Sequence, residues 1–372
     1  MKKLHTFCAV FCGLLPLWLL LAWLARGNPD LTEAWYAQQF YPAWAGAFLA
    51  VTSPLPFSLA EVLVILAILV GIFWLACFLL DVARGKGKRL RVAAHYLVYG
   101  GGACSFVLML FLLGGGFNYY RHTFTQMSGL APRASEVEQL ALLCEELAAE
   151  ASSLRESLPE DGAGVSLLTG TTRETAVNAR ESYRLLMEQS PQWAGYFDLS
   201  TRCLPKRVFF SEAMSYMEIV GVFTPYTVEA NVNFHTTDFD IPFAACHELA
   251  HISGFMREDE ANFLAYAACR ASEDPFFRYS GAATALIHAG NALYSKDPDR
   301  YFQVMEGACD GLRRDFAASS AYYQSHHTSF GEFSTKVNDT YLKVNSQPQG
   351  VATYGRMVDL LLADYRVRHG LD

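Results

Sequence analysis

The sequence predicts an α+β, mainly helical protein, with three N-terminal transmembrane helices followed by a domain of helices and a small sheet. Three observations predict it. The chain of 372 residues is 52% hydrophobic and only 18% charged, the balance of a membrane protein with a soluble part. Three apolar runs long enough to cross a bilayer fall in the first third. Beyond them apolar residues recur mostly at helical spacing, with strand-like alternation confined to a stretch ending near Asn233. A net charge of −8 argues against a nucleic-acid partner.

The first run, about residues 7–26, follows Lys2 and Lys3. No A-x-A site comes after it, so it reads as an uncleaved span rather than a signal peptide. Residues 27–57, with Asp30 and Glu33, read as a polar-aromatic loop. The second span, 59–80, opens with Ser58 and Glu61 in capping-box spacing. Residues 81–92 carry Arg84, Lys86, Lys88, Arg89 and Arg91, and the third span covers 93–115. The positive-inside rule places the N-terminus and the 81–92 loop in the cytoplasm. The 27–57 loop and everything after 116 then lie outside. The expected organisation is a membrane anchor over 1–116 and an extracytoplasmic domain over 117–372. No span carries a paired ionisable cluster, which argues against transport.

In the outer domain, helices are expected over 136–158 and 171–189, the second with Thr171 and Glu174 in capping-box spacing. A short strand is expected over 207–210, and strands over 220–223 and 227–233 around Thr224-Pro225-Tyr226. Further helices are expected near 275–294, 298–316, 318–344 and 353–368. The outer domain holds five of the nine cysteines, an odd number, so a full disulfide framework is excluded and buried thiols are expected.

The chemistry concentrates in FAACHELAHISGFMREDEANFLAY, residues 243–266. Four residues apart on a helix, His247 and His251 share one face and can meet one metal ion. Glu248 follows the first histidine and can act as general base on a water at an open zinc position. Pro242 suits the first turn, and Gly254 suits a left-handed stop that lays the next helix back on the first. That helix offers Glu258 and Glu260, which point to nearly opposite sides. The Glu260 face continues through Phe263, Leu264 and Ala267, which reads as core, so Glu258 is favoured as third ligand. Asn262, one turn on, can accept a hydrogen bond from a ligand imidazole. Cys246 points off the histidine face.

This pattern resembles the zincin metallopeptidases, and the E-x-E-A-N run resembles the third-ligand helix of the gluzincin type. The resemblance implies a zincin-like fold, Zn²⁺ as cofactor, a peptide or protein substrate, and Glu258 as ligand with Asn262 as its partner. It also implies that the strand before the metal helix forms the cleft's edge, where Glu229, Asn231 and Asn233 can line an extended substrate. Zincins hold the oxyanion with a Tyr, His or Arg, for which Tyr354, Arg356, Tyr341, His326 and His327 are candidates. The three spans, PYTVEANVN, the metal-helix pair and YGRMVDLLL together resemble an uncharacterised bacterial membrane-protein family, domain of unknown function 3810. A multi-pass protein of the bacterial cytoplasmic (inner) membrane is implied. The expected function is zinc-dependent peptide hydrolysis outside that membrane. Two alternatives stand beside it: a non-peptidase zinc hydrolase of envelope amide or ester bonds, and an inactive scaffold with a structural zinc.

Overall fold

A computed structural model describes residues 2–84, 89–133, 136–345 and 356–371. The first apolar run is helix α1 (Lys2–Gly27). A single turn α2 (Pro29–Leu31), a π-helical stretch Thr32–Phe40 and helix α3 (Tyr41–Thr52) follow. The other two runs are α4 (Leu59–Arg84) and α5 (Arg89–Gly114). Each long helix has 26 residues, about 39 Å at about 1.5 Å per residue, enough to cross a hydrocarbon core of about 30 Å. Their side chains are largely exposed, as lipid-facing helices require. The basic residues Lys86 and Lys88 lie outside the described residues.

The 27–57 stretch is helical, not a loop. Its acidic residue Glu33, which suggested a solvated loop, is buried against Arg121, with Nε 2.8 Å and Nη2 2.6 Å from the carboxylate oxygens. Tyr41 is buried too, and its hydroxyl donates to the Ile252 carbonyl at 3.0 Å. With Ala45 and Leu49 it belongs to the same apolar core as the residues that follow α5. Residues 28–58 and the chain beyond 114 pack together, as three helices crossing a membrane in alternation would require of segments on one side.

A 3₁₀ turn (Gly116–Tyr120) leads to α6 (Phe124–Ser128), α7 (Val137–Arg155) and α8 (Thr172–Gln189). Thr171 and Glu174 form the reciprocal cap of α8 that their spacing predicts. The sheet has three strands in the order β1 (Lys206–Arg207), β3 (Glu229–Val232), β2 (Gly221–Thr224), with helix α9 (Ser211–Tyr216) between β1 and β2 in sequence. β1 runs parallel to β3 and β2 antiparallel to it. β1 is shorter than expected: Phe209 and Phe210 leave the sheet, their amides donating to Glu61 in the first turn of α4 at 3.0 and 2.8 Å.

Helices α10 (Asp240–Ile252) and α11 (Glu258–Ala271) fill the centre of the core and pack against β2, β3, α8 and α12 (Pro275–Lys296). The helix expected over 298–316 is two, α13 (Pro298–Glu306) and α14 (Asp310–His326), broken after Gly307 and restarted by a Cys309 cap on the Leu312 amide. The one expected over 318–344 breaks at Thr328, whose hydroxyl accepts from the Gly331 amide and starts α15 (Ser329–Val344). The last helix is α16 (Met357–His369).

Candidate metal centre

Two helices and one strand edge build the site. α10 stops where Gly254 turns left-handed, at φ +86°. A Cβ there would come within 2.8 Å of Asn118 and 3.2 Å of Arg121, so only glycine fits both the angle and the space. The reversal lays α11 on α10 and brings Glu258 to the histidine face. His247 Nε2 lies 3.3 Å and His251 Nε2 3.8 Å from the Glu258 carboxylate oxygens. The three ligand atoms all fall within 4.8 Å of one another.

The second nitrogen of each ring is already engaged. His247 Nδ1 donates to Asn262 Oδ1 at 2.8 Å, and His251 Nδ1 donates to the Phe255 carbonyl at 2.7 Å. With Nδ1 engaged, each ring turns its Nε2 toward the Glu258 carboxylate. Without a metal a proton at His247 Nε2 bridges to Glu258; with that proton lost, two imidazole nitrogens and a carboxylate converge, a donor set that fits a divalent metal. Burial, then the His247 charge, pulls the His251 imidazole down to about 4. His247 is also pulled down by burial, but the Glu258 hydrogen bond and charge outweigh that and leave it raised.

Glu260 faces the other way. It is buried, and its Oε1 accepts from the Phe124 amide at 2.8 Å at the start of α6. Cys246 and Cys269 are buried free thiols outside the ligand group. Among the described residues, His247, His251 and Glu258 form the metal-capable group, with no fourth protein ligand.

Glu248 sits beside the group and is not part of it. The Phe223 amide bonds its carboxylate, while Oε2 is buried without a hydrogen-bond partner. Burial pushes its carboxyl up to about 8; His247 pulls it down and Glu258 adds to the rise. Gly221 on β2 makes room for it: a Cβ would lie 2.4 Å from Oε1 and 2.8 Å from Cγ. The parity of β2 explains the contact. The Val220 carbonyl accepts from the Asn233 amide, so Val220, Val222 and Thr224 bond β3, and the main chain of Gly221 and Phe223 faces the other way.

Ligands and Glu248 open on one cavity of about 1190 Å³. Its walls include Phe111 at the end of α5, Tyr119, β2, Asn291 on α12, Tyr323 on α14 and Tyr341 on α15. The Tyr119 hydroxyl donates to that of Tyr341 at 2.9 Å. A strand was expected over 220–223, but its place at the site was not foreseen, nor was Tyr119. Tyr119 lies 128 positions before His247, in a stretch whose sequence carries no motif.

Other anticipated residues fall elsewhere. Glu229 and Asn231, expected along an exposed edge, are buried in the central strand β3, and Asn233, expected there too, is buried just after it. Glu229 accepts from Lys206 Nζ at 2.5 Å and from the Leu59 and Ala60 amides at 3.1 and 2.7 Å, which caps the start of α4. Asn231 Nδ2 donates to Thr224 Oγ1, and Asn233 Nδ2 to Ser215 Oγ and the Ile219 carbonyl. The edge strand beside the site is β2. His326 packs on Tyr322, His327 pairs with Glu218, and Arg356 is exposed before α16; none lines the cavity. Tyr354 lies outside the described residues.

Fold and site together define a class: a mainly helical protein with three membrane-length helices and a His₂Glu group opening on a cavity. The family model described as Protein of unknown function (DUF3810) matches residues 36–362, and the chain belongs to that family. No curated protein and no solved structure matches the chain.

Proposed function

We propose that the protein is a membrane-anchored, zinc-dependent metallopeptidase acting on the outer side of the bacterial cytoplasmic membrane. One observation carries this reading: a three-ligand group and a separate, half-partnered carboxylate, Glu248, line the same cavity. A structural zinc is normally closed by a fourth protein ligand, whereas a catalytic one keeps a position open. Two imidazoles and one carboxylate suit zinc, which when bound would lower the pKa of water to about 7 and polarise the scissile carbonyl.

The chain's own residues do the rest. His247, His251 and Glu258 would hold the ion, and Asn262 and the Phe255 carbonyl keep both rings in the ligating tautomer. Glu248 takes the proton of the attacking water and passes it to the leaving amine nitrogen. Its burial favours the protonated form, which suits the second of these transfers. The outward edge of β2 offers main-chain partners to an extended peptide. The Tyr341 hydroxyl, oriented by Tyr119, is a donor on the cavity wall for the developing oxyanion.

Sidedness rests on Arg84, Arg89 and Arg91 at the shared end of α4 and α5. A reporter active only outside the cytoplasm, fused at the C-terminus, should be active; a silent fusion there reverses the orientation. Function is tested by comparing envelope-protein fragments in cells carrying wild type or Glu248→Gln. Peptide fragments present only with the wild type support the peptidase. Lost amide or ester products without peptide fragments favour the non-peptidase hydrolase, and identical profiles favour the scaffold with a structural zinc.

A further inference from the structure

Helix α15 has three faces. Gly331, Ser334, Thr335, Asn338 and Leu342 turn toward the domain and its cavity. Glu332, Lys336, Asp339 and Lys343 form a charged face. The third face is apolar: Phe330, Phe333, Val337, Tyr341 and Val344 fall within about 80° of arc at about 100° per residue. These five side chains are between 40 and 67% exposed. A soluble helix turns such a stripe inward; among the described residues this one leaves Phe330, Phe333 and Val344 more than half exposed, with Tyr341 resting on Phe111 at one end.

Two contacts fix the height of that stripe relative to the spans. The Tyr341 ring stands 6.1 Å from Phe111, in the last turn of α5. The exposed Phe209–Phe210 pair, with Phe209 82% exposed, is held by its amides to Glu61, in the first turn of α4. The stripe and the phenylalanine pair are thus each tied to the end of a membrane-length helix. A helix with one charged and one apolar face, set beside the end of a span, has the pattern of an interfacial helix.

We infer that the apolar stripe of α15 and the Phe209–Phe210 pair are seated in the lipid interface, so that the cavity opens at the membrane surface. Val337 and Tyr341 belong both to the stripe and to the cavity wall, which places the opening where lipid meets protein. The occupant is the bilayer, not a second protein, because both apolar features are anchored at the ends of α4 and α5, the helices long, apolar and exposed enough to sit in lipid. Resting on the proposed hydrolysis, this limits the substrate to chains embedded in or tethered to the membrane, approached sideways.

The test uses the full chain in nanodiscs of phosphatidylethanolamine and phosphatidylglycerol, with the photo-crosslinking residue p-benzoylphenylalanine placed singly at 209, 333, 344 or 336. Irradiation should give lipid adducts at 209, 333 and 344 and lose them at 336, on the charged face. Adducts to a second copy of the chain at 333 and 344, or no lipid adduct at any of these three apolar positions, would overturn the inference. The readout needs no turnover, so it separates from the outcome of the Glu248→Gln comparison.

Discussion

Asn262→Ala tests the site without knowledge of a substrate. In the native chain Asn262 Oδ1 takes the Nδ1 proton of His247 at 2.8 Å, and both residues are largely buried. Alanine removes the acceptor and leaves a ring N–H facing a gap. Two independent magnitudes bear on the cost. A buried donor left without a partner loses about 1–3 kcal/mol. Removing the hydrogen-bond partner of a metal-ligating histidine weakens metal binding by about 10–100-fold, which is about 1.4–2.8 kcal/mol. The two ranges agree, because the same bond holds the tautomer and the ring angle. The assay is zinc titration of the full-length protein in detergent against a chromophoric chelator. Kd for Asn262→Ala should rise by about 10–100-fold. Asn262→Asp keeps an acceptor and should bind at least as tightly as the parent. The reasoning fails if Asn262→Ala binds zinc like the wild type, or if the aspartate variant loses as much affinity as the alanine variant.

The two neighbouring glutamates should separate cleanly. Glu258→Gln should weaken zinc binding in the same titration, and Glu260→Gln should leave it unchanged; the opposite result would reassign the ligand. Burial pushes the Glu260 carboxyl up to about 7 from its ordinary value of 4.5, so the folded chain keeps a proton there that the unfolded chain releases. Its contribution to stability is therefore fully present below about 4.5 and is lost as pH rises to about 7. Glu260→Gln should gain thermal stability relative to wild type at pH 8 compared with pH 5, and an equal difference at both pH values would refute this. Lys206→Met strips the buried Glu229 of its cation and should cost about 3–5 kcal/mol in denaturation of the full chain. Adding Glu229→Gln should recover part of the loss. A variant within about 1 kcal/mol of the parent would show that the pair is not what holds this junction.

The α10–Gly254–α11 unit was legible because every part of it is local. The ligand spacing, the glycine stop and the two glutamate faces follow from helix geometry within about seven turns. The spans were legible for the same reason. What failed depends on distant partners. Glu229, Asn231 and Asn233 alternate like the polar face of an exposed strand, but each is matched by a polar partner, Lys206, Thr224 and Ser215 among them. Glu33 made residues 27–57 look like a loop until Arg121, 88 positions on, neutralised it. The breaks at Gly307 and Thr328 were hidden because apolar spacing runs on across them, and a cap on either side restarts the helix without disturbing the pattern.

The burial of Tyr41, Ala45 and Leu49 in the core has a consequence for biogenesis. That wall of the core is synthesised before α4 and α5, and the rest of it after them. The core therefore cannot close until the hairpin of α4 and α5 between its halves has been made. A fragment beginning after α5 would lack one wall and expose the apolar surface that wall covers, including the end of α10 where Tyr41 bonds the Ile252 carbonyl. Completion of that hairpin becomes a checkpoint for the site: a chain whose two halves have not met lacks the wall behind the end of α10, where Tyr41 bonds the Ile252 carbonyl.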